Sequence, residues 1–417
     1  MTQKQIAVVG GGVAGVCTAY FLARAGHEVV VIERHHNVAQ EASFCTAGIT
    51  GPGYATPWAA PGMPLRILRG LFGAEAPVLV RPTLDRATWR WIRRWLSECT
   101  LERYRINRTR MQRLAAYSQS ILQQLGEYHQ LAFEQTRGVL QLFRTDRELK
   151  ASEAAIALLA ENGIAHRLLD PDAARAIEPG LAGETAFAAA LHLQQDEAGN
   201  CPLFARRLRH VAAAEGVSFH FTSTVQAIEP VAGGVLLHID GGKFPADAVV
   251  IAAGNDSARL LHPLGIRLPL HSVNGYSATV AIRDFDQAPQ AALLDETYKA
   301  AITRIGSRLR IAGLAEIGAP GTEVHERAMR TLIKVGSDWF PRAANYAKAN
   351  FWCGPRPMLP DGPPLLGTTP LRSVFINIGH GAAGWTAAAG AGKLVADIVS
   401  GETPDIDMDG LTLARYG

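Results

Sequence analysis

Residues 5–33 read QIAVVGGGVAGVCTAYFLARAGHEVVVIE, and this stretch decides the fold. A short β-rich run, residues 6–9, leads into three glycines. Residues 13–25 then have the periodicity of a helix, which Gly26 ends. Residues 28–33 form an apolar run typical of a strand buried in a parallel sheet. The stretch therefore predicts a strand–helix–strand unit with a glycine turn at its first junction.

The spacing Gly10-x-Gly12-x-x-Gly15 at this junction predicts a dinucleotide site. Gly10 permits the tight turn, Gly12 lets backbone N–H groups approach a pyrophosphate, and Gly15 allows the helix to pack closely on the strand. The helix N-terminus adds partial positive charge for the phosphates. Glu33, at the end of the second strand, can accept hydrogen bonds from both ribose hydroxyls and would repel a 2′-phosphate. NAD and FAD therefore remain as candidates, and NADP is disfavoured.

Two later segments favour FAD over NAD. The segment DAVVIAAG (247–254) is a strand that ends in Ala253-Gly254, where small residues leave room for a dinucleotide across the sheet. The segment NIGHGAAGWT (377–386) places a second glycine turn before the last helix, formed by Gly379, Gly381 and Gly384. A helix N-terminus there can stabilise the negative charge that a flavin ring gains on reduction. An NAD domain has no need of this second turn.

Composition narrows the class of protein further. The chain has 417 residues, enough for two domains, and a formal net charge of +3, which does not suggest a nucleic-acid partner. Its five cysteines are widely spaced and resemble neither a disulfide framework nor a metal site, so a cytoplasmic location fits best. No apolar run reaches the roughly 18 residues of a membrane span. Any membrane contact would be peripheral, on the inner face of the cytoplasmic membrane.

Nucleotide-type segments occur near the start, in the middle and near the end of the chain. We therefore expect an α/β protein with a discontinuous Rossmann-type FAD-binding domain, built from residues 1–85, 190–265 and 350–417. Residues 86–189 and 266–349 would form an α+β substrate-binding domain. Its antiparallel sheet is predicted from the apolar–polar alternation of residues 265–315.

Several longer segments are not explained by composition: SFCTAGITGPGYATPWAAPG (43–62), RPTLD (81–85), GVLQLFRT (138–145), DEAGNCPLF (196–204), LDETYKAAITR (294–304), RPMLPDGPPLLG (356–367) and GHGAAGWT (379–386). Through them the chain resembles the bacterial D-amino acid dehydrogenases, members of the wider glycine oxidase and D-amino acid oxidase fold family. The resemblance implies FAD as cofactor and oxidative deamination of D-amino acids to 2-oxo acids and ammonia. Hydride would pass from Cα to flavin N5, and electrons onward to a respiratory acceptor such as a quinone.

The resemblance also implies roles for individual residues. Arg356 stands where related oxidases pair an arginine with the substrate carboxylate, which suits the planar guanidinium; a surface arginine is the alternative. Tyr298 corresponds to a substrate-contacting tyrosine, with a core tyrosine as the alternative, and Tyr54 and Tyr276 are further substrate-binding candidates. His380 is a third catalytic candidate beside Arg356 and Tyr298: it either tunes the flavin or satisfies a buried turn. If the neutral amine binds, no general base is required.

Further residues complete the expected site. At the cofactor we expect, besides the glycines and Glu33, the residues Val13, Ala14, Arg34, Ser43, Ala47, Gly48, Val225, Ala383, Trp385 and Thr386. Lys299 and Arg304 neighbour Tyr298 and are further candidates for contact with the substrate, although strand alternation places Lys299 on the opposite face from that tyrosine. No metal is expected.

The chain departs from the family pattern near this site, at Thr46, Ile49, Asn274, Pro355 and the pair 382–383. These departures bear on substrate preference. Oxidation of a cyclic or N-methylated amine, such as D-proline, hydroxyproline or sarcosine, stays open as an alternative. A non-catalytic dinucleotide-binding sensor is a more distant one.

Residues 84–113 form a basic, tryptophan-rich segment. They hold nine arginines and three acids, a local charge of +6, interleaved with Trp89, Trp91 and Trp95, and they follow a mixed apolar and basic stretch at residues 65–72. Such a segment can lie on anionic lipid and give access to a quinone. The alternative is an amphipathic helix packed on the substrate domain with a solvated face.

Overall fold

The computed structural model describes residues 3–70, 78–81, 83–318 and 321–416. Its helices are α1 (Val13–Arg24), α2 (Met63–Gly70), α3 (Arg86–Glu98), α4 (Leu101–Tyr128), α5 (Asp146–Glu161), α6 (Pro171–Ile177), α7 (Cys201–Ala214), α8 (Ser257–Leu261), α9 (Glu326–Trp339) and α10 (Gly384–Ser400).

The strands form three sheets. In chain order they are β1 (Gln5–Val9), β2 (Glu28–Ile32), β3 (Ile49–Thr50), β4 (Val78–Val80), β5 (Thr136–Phe143), β6 (Arg167–Leu169), β7 (Ala189–Ala198), β8 (Ser218–His220), β9 (Val225–Val231), β10 (Gly234–Ile239), β11 (Gly242–Ala246), β12 (Ala248–Ile251), β13 (His271–Ala281), β14 (Ala292–Asp295), β15 (Ala300–Ile305), β16 (Arg308–Ile317), β17 (Asn350–Met358), β18 (Leu365–Thr368) and β19 (Val374–Ile378).

The first sheet carries the nucleotide-type segments. Its strand order is β18-β19-β12-β1-β2-β8, and all of its pairs are parallel except β18 with β19. Parallel strands end at the same edge of a sheet. The residues that follow β1, β2, β12 and β19 therefore converge, and among them are Gly10, Glu33, Ala253 and Gly379. This convergence confirms the predicted α/β fold and creates a crevice at the strand ends.

Glycine lets α1 approach this sheet closely. A Cβ on Gly15 would lie 2.0 Å from the Gly10 carbonyl oxygen, and a Cβ on Gly10 would lie 2.5 Å from the Ala252 carbonyl oxygen. Gly10 also has φ of +108°, a conformation that L side chains rarely adopt. The two glycines therefore serve the tight turn and the close helix packing predicted for them.

The second large sheet is mainly antiparallel. Its order is β17-β13-β16-β15-β14-β5-β7-β3, with β4 beside β16 and β6 beside β7. The predicted antiparallel strands within residues 265–315 are present as β13 to β16. Two pairs are parallel, β14 with β5 and β16 with β4. A small antiparallel sheet, β9 to β11, lies between β8 and β12 in the chain.

Sheet membership differs from the predicted domain boundaries. Strands β3, β4, β7 and β17 lie in ranges assigned to the FAD-binding domain, yet they belong to the second large sheet. Conversely, α4 lies in a range assigned to the substrate domain, yet its Leu114 and Leu122 share a core with α1 and α10. The sheet that a strand joins depends on pairing with strands far away in the sequence, and local sequence patterns do not reveal this pairing.

The basic segment is folded into two helices. Trp91 and Trp95 of α3 are buried against Trp58, whereas Trp89 is 52% exposed. Arginines of α4 are tied to acids elsewhere: Arg105 to Glu161, Arg110 to Asp409 and Arg113 to Asp407. By contrast, Arg86, Arg90, Arg93 and Arg94 of α3 are exposed. The alternative of a packed amphipathic helix thus describes Trp91, Trp95 and much of α4. An exposed basic face remains on α3.

The stretch before this segment is only partly described. Residues 65–70 belong to α2, and residues 71–72 lie outside the described part of the chain. Among the helices that the structure describes, none has the length and apolar character that crossing a bilayer requires.

Candidate active site

A cavity of about 700 Å³ is lined by residues of both large sheets. Most of the predicted cofactor residues line it: Gly10, Gly12, Val13, Ala14, Glu33, Arg34, Ser43, Ala47, Val225, Ala253, Gly254, Gly379, Gly381, Ala383, Gly384 and Trp385. The fold therefore brings residues from both ends and the middle of the chain to one place.

Three predicted cofactor residues do not line the cavity but pack against residues that do. Gly15 packs against Gly10, as described above. The Gly48 carbonyl accepts a hydrogen bond from the Trp385 indole at 3.0 Å, and the Thr386 hydroxyl donates to the Ile49 carbonyl at 3.3 Å. These bonds hold the start of α10 against the chain near β3. Gly48 and Thr386 therefore support the second glycine turn from behind.

Glu33 is held in a fixed position at the first glycine turn. Its carboxylate accepts hydrogen bonds from the backbone N–H of Gly11 at 2.5 Å and of His35 at 2.8 Å. The side chain is buried but lines the cavity. Two backbone donors leave further lone pairs on the carboxylate, which suits acceptance from ribose hydroxyls.

Arg34 and Ser43 organise the loops around this turn. The Arg34 guanidinium pairs with both Glu41 and Asp256, which joins two loops that line the cavity. The Ser43 hydroxyl accepts a hydrogen bond from the Val13 N–H at 3.1 Å, at the N-terminus of α1. Glu41 was not expected from the sequence, although it lies two residues before segment 43–62, which carries part of the family resemblance.

His380 lies at the second glycine turn and is neutral at physiological pH. Its Nε2 lies 2.6 Å from the Asn377 side-chain oxygen, and the Asn377 amide donates to the Thr18 hydroxyl at 2.9 Å. The network assigns the proton to Nε2, so the Nδ1 lone pair has no partner among the described residues. Burial lowers the pKa of His380 to about 4. Such a weak base does not suit proton abstraction near pH 7.

Arg356 lies deep inside the protein, and the surface that it exposes faces the cavity. Its guanidinium donates to the Leu314 carbonyl at 3.1 Å and to the Gly313 carbonyl at 3.4 Å. It lies over Gly275 of β13, where an added Cβ would come within 2.2 Å of Cζ. No carboxylate of the described residues pairs with it. Burial lowers the pKa of Arg356, as expected for a cation without a counter-charge.

Tyr54 is the predicted substrate tyrosine that does line the cavity. Burial raises the pKa of its hydroxyl, and the nearby charge of Arg356 acts in the opposite direction. The loop that carries Tyr54 is anchored by Asp196 of β7. The Asp196 carboxylate accepts from the N–H groups of Gly53 at 3.0 Å and Tyr54 at 2.6 Å, and burial raises its pKa to about 7. Sequence reasoning missed Asp196, although it opens the segment 196–204.

Tyr298 does not line the cavity, which corrects its expected position. It lies in the turn between β14 and β15, and its ring is part of the core beneath α9. The Arg144 guanidinium lies 5.1 Å from the ring centroid. Lys299 follows with φ of +49° and lines the cavity instead. Tyr298 and Lys299 face opposite sides, as predicted, but Lys299 and not Tyr298 reaches the cavity.

Tyr276 and Arg304 also point away from the cavity. A register irregularity lies between Asn274 and Tyr276 of β13, and Gly275 faces Arg356. Tyr276 therefore faces the other side, where its hydroxyl donates to the buried Glu316. The Arg304 guanidinium lies over the Phe285 ring. The core-tyrosine alternative thus describes Tyr298 and Tyr276.

Lys299, which the sequence offered as a possible substrate contact, lines the cavity together with Glu296 and Gln141, which it did not. Lys299 pairs with Glu296 at 2.5 Å, and the Gln141 amide donates to the other Glu296 oxygen at 2.7 Å. The Lys299 backbone lies against Gly313, whose carbonyl also accepts from Arg356. The backbone of Lys299 and the Arg356 guanidinium therefore both lie against Gly313 of β16.

The cavity residues fit a dinucleotide at one end and an organic acid at the other. Backbone at the first glycine turn and the Glu33 carboxylate suit an ADP moiety. The second glycine turn lies at the N-terminus of the 17-residue helix α10, which favours negative charge. A guanidinium that pairs with no carboxylate in the described part of the chain suits the carboxylate of a ligand.

Comparison with known sequences agrees with this geometry. The profile of the family described as "FAD dependent oxidoreductase" matches residues 5–398. The D-amino acid dehydrogenase 1 of Mesorhizobium japonicum is 44% identical over 415 residues, covering 99% of both chains. The D-amino acid dehydrogenase of Rhizorhabdus wittichii is 44% identical over 416 residues, covering 99% of this chain and 100% of that one.

Solved structures share the fold at lower identity. Glycine oxidase from Geobacillus kaustophilus superposes with a TM-score of 0.77 at 24% identity, covering 100% of this chain and 99% of that one. The L-proline dehydrogenase from P. horikoshii gives a TM-score of 0.74 at 18% identity, covering 99% and 98%. At these identities the likeness concerns the fold alone.

The lowered pKa of His380 predicts a loss of stability in acid. The folded chain protonates this imidazole near pH 4 and the unfolded chain near 6.5. The stabilisation is therefore complete above pH 6.5 and is lost as the pH falls toward 4. Between pH 6.5 and 5, we expect the parent protein to lose about 1.5 kcal/mol more than His380→Gln in urea unfolding. The exposed His262→Gln should behave like the parent. Equal losses in all three proteins would contradict a buried neutral His380.

Proposed function

This chain belongs to the family of FAD dependent oxidoreductases, and from that premise we propose its substrate, its site residues and its electron acceptor. The proposed reaction converts D-amino acids to 2-oxo acids and ammonia, with a quinone taking the electrons. Relatives that match over almost the whole chain are named D-amino acid dehydrogenases, which supports this substrate class.

The observation that carries the proposal is the Arg356 guanidinium. It lies deep in the cavity, donates to the backbone carbonyls of Gly313 and Leu314, and has no carboxylate partner in the described residues. An isolated charge in such a position is costly. A substrate carboxylate would supply the missing counter-charge through paired N–H donors. The Tyr54 hydroxyl, beside Arg356 and protonated because burial raises its pKa, would donate to the same carboxylate.

The cofactor site would divide between the two glycine turns. Gly10, Gly12 and the N-terminus of α1 would hold the pyrophosphate, and Glu33 the ribose. The turn before α10 would face the anionic edge of the ring system. When bound, FAD supplies the acceptor for the hydride that leaves the substrate Cα.

The remaining residues would orient the substrate and keep it in the right protonation state. With its carboxylate on Arg356, the amino acid would have its side chain near the Lys299–Glu296 pair. The amine would bind neutral, because His380 is too weak a base to deprotonate it near pH 7. Asp196 would act indirectly, since it holds the backbone of the loop that carries Tyr54.

Anaerobic bleaching of the flavin by a panel of D- and L-amino acids tests the proposal. We expect bleaching by D-amino acids and not by their L-enantiomers, and Arg356→Lys should lower kcat/KM about 100-fold because a lysine cannot pair bidentately. Arg304→Lys, which alters an arginine outside the cavity lining, is the control and should keep parent activity. Flavin content should be equal in all three proteins.

The same panel separates the alternatives. Faster bleaching by D-proline, hydroxyproline or sarcosine than by any primary D-amino acid would favour a cyclic or N-methylated amine. A protein that binds flavin and is bleached by no amine would contradict the proposed reaction and favour a sensor.

Peripheral membrane contact through α3 completes the proposed function. Arg86, Arg90, Arg93 and Arg94 are exposed on the face opposite the buried Trp91 and Trp95. Exposed apolar side chains flank these arginines: Leu65, Leu84, Trp89 and Leu96. An apolar rim beside a basic face suits the surface of an anionic bilayer.

Sedimentation with anionic vesicles tests this contact. Each basic residue near such a surface contributes about 1 kcal/mol at physiological salt, so the triple variant Arg90→Gln, Arg93→Gln, Arg94→Gln should bind about 100-fold more weakly. A triple variant of the exposed Arg207, Arg283 and Arg308 is the matched control and should bind like the parent. The contact is disproved if the two triple variants bind equally, or if the parent does not bind at low salt.

A further inference from the structure

One part of the cavity, which we call the α4 lobe, has a lining of its own. It is formed by Trp58, Met63, Leu101, Tyr104, Arg108 and Ser152, from the loop before α2 and its first residue, the first turns of α4, and α5. Leu101, Tyr104 and Arg108 follow helical spacing and share one face of α4. The proposed reaction gives this lobe no role.

Arg108 is the unusual residue of the lobe, because it is only 5% exposed. Its Nη1 donates to the Tyr104 hydroxyl at 3.1 Å and to the Ala155 carbonyl at 2.6 Å. Neither its fully buried Nε nor its Nη2 has a hydrogen-bond partner among the described residues, and no carboxylate there pairs with the guanidinium. Burial lowers the pKa of Arg108. A cation in this state favours a ligand that brings an oxygen acceptor.

The rest of the lobe restricts the kind of ligand. Apolar side chains form most of its wall: Pro57, Trp58, Met63, Leu101, Ile156 and Leu159. None of the residues that line it between 56 and 63 or between 101 and 159 on α4 and α5 is acidic. A second amino acid would therefore find no counter-charge for its ammonium group. A flat apolar ring that carries carbonyl oxygens fits both the wall and the donors.

The lobe lies beside the second glycine turn. Met111, one turn after Arg108 on α4, packs with Ala55 and with Ala383 of that turn. The Tyr104 hydroxyl lies 3.1 Å from the Thr56 hydroxyl, two residues from Tyr54. The loop from 54 to 56 therefore borders the substrate end through Tyr54 and the α4 lobe through Thr56. A ligand bound to Arg356 and a ligand in the α4 lobe can therefore both approach the second glycine turn without sharing hydrogen-bond donors.

The lobe reaches the surface next to α3. Pro61, Gly62 and Leu101 line it and are exposed. Leu101 begins α4 shortly after the end of α3, where Leu96 is 44% exposed. An apolar tail that leaves the lobe would thus run along the face proposed to meet the membrane.

We propose that the α4 lobe binds the headgroup of a quinone, with Tyr104 and Arg108 donating hydrogen bonds to its carbonyl oxygen. This inference rests on the proposed function. Oxidation of the neutral amino acid to the imino acid releases two electrons and two protons. Reduction of a quinone to its quinol consumes two electrons and two protons, so the two half-reactions balance. Water then converts the imino acid to the 2-oxo acid and ammonia.

Separate measurement of the two half-reactions tests the lobe. The variants are Arg108→Gln and the milder Tyr104→Phe, and Arg105→Gln is the control, because Arg105 lies on the same helix but pairs with Glu161 at the surface. We expect a short-chain ubiquinone analogue to show a KM raised about 10-fold or more in both lobe variants, since each loses a carbonyl donor. Anaerobic bleaching by the best D-amino acid, and turnover with ferricyanide, should stay within about twofold of the parent.

Photolabelling gives a readout that does not depend on turnover. An azidoquinone should label peptides from residues 56–63 and 101–108 in the parent and in Arg105→Gln, and label them less in Arg108→Gln. The inference is overturned if the lobe variants slow flavin bleaching as much as quinone reduction, which would make the lobe part of the substrate pocket. Labelling elsewhere, or an unchanged quinone KM in Tyr104→Phe with intact fold, would also overturn it. If the parent flavin is not bleached by any D-amino acid, the proposed function fails instead.

Discussion

The site depends on a guanidinium that lies deep in the cavity and that no carboxylate of the described residues neutralises. Arg356 can occupy its position only because β17 pairs with β13 and brings the side chain over Gly275, where no Cβ intervenes. Two carbonyls of β16 accept its N–H groups but supply no full negative charge. In the proposed reaction the substrate carboxylate would supply that charge, and this requirement would favour acids over other ligands.

The two large sheets contribute different parts of the site. The parallel sheet supplies backbone turns at the ends of its strands, a surface that suits the constant part of a dinucleotide. The second sheet supplies side chains from strands that are distant in sequence: Arg356, Lys299 and, through Asp196, the position of Tyr54. The loop from Gly51 to Met63 connects these parts, because it passes the substrate end and then the α4 lobe. Substitutions in this loop would therefore affect the binding of both the substrate and the ligand of the α4 lobe.

The sequence predicted those parts of the site in which function constrains the backbone. Gly10, Gly15, Gly379 and Gly381 are glycine because close approach excludes a Cβ, and glycines at such spacing are visible in a single sequence. Arg356 was found through the family resemblance. The expected positions of Tyr298 and Tyr276 at the substrate were wrong. Lys299, which has a left-handed backbone conformation, reaches the cavity in place of Tyr298, and Tyr276 follows an irregularity in β13 and faces away from the cavity. Sheet membership crosses the expected domain boundaries because β7 and β17 join the second sheet through partners far along the chain.

Titration of the purified flavoprotein with a 2-oxo acid, which has the carboxylate of the substrate but no amine to oxidise, examines the guanidinium in isolation. The account predicts a saturable change in the flavin absorbance of the parent, and the loss of that change in Arg356→Met with the flavin still bound. An equal change at the same concentrations in the variant would show that another group holds the acid, and the assignment of Arg356 would be withdrawn.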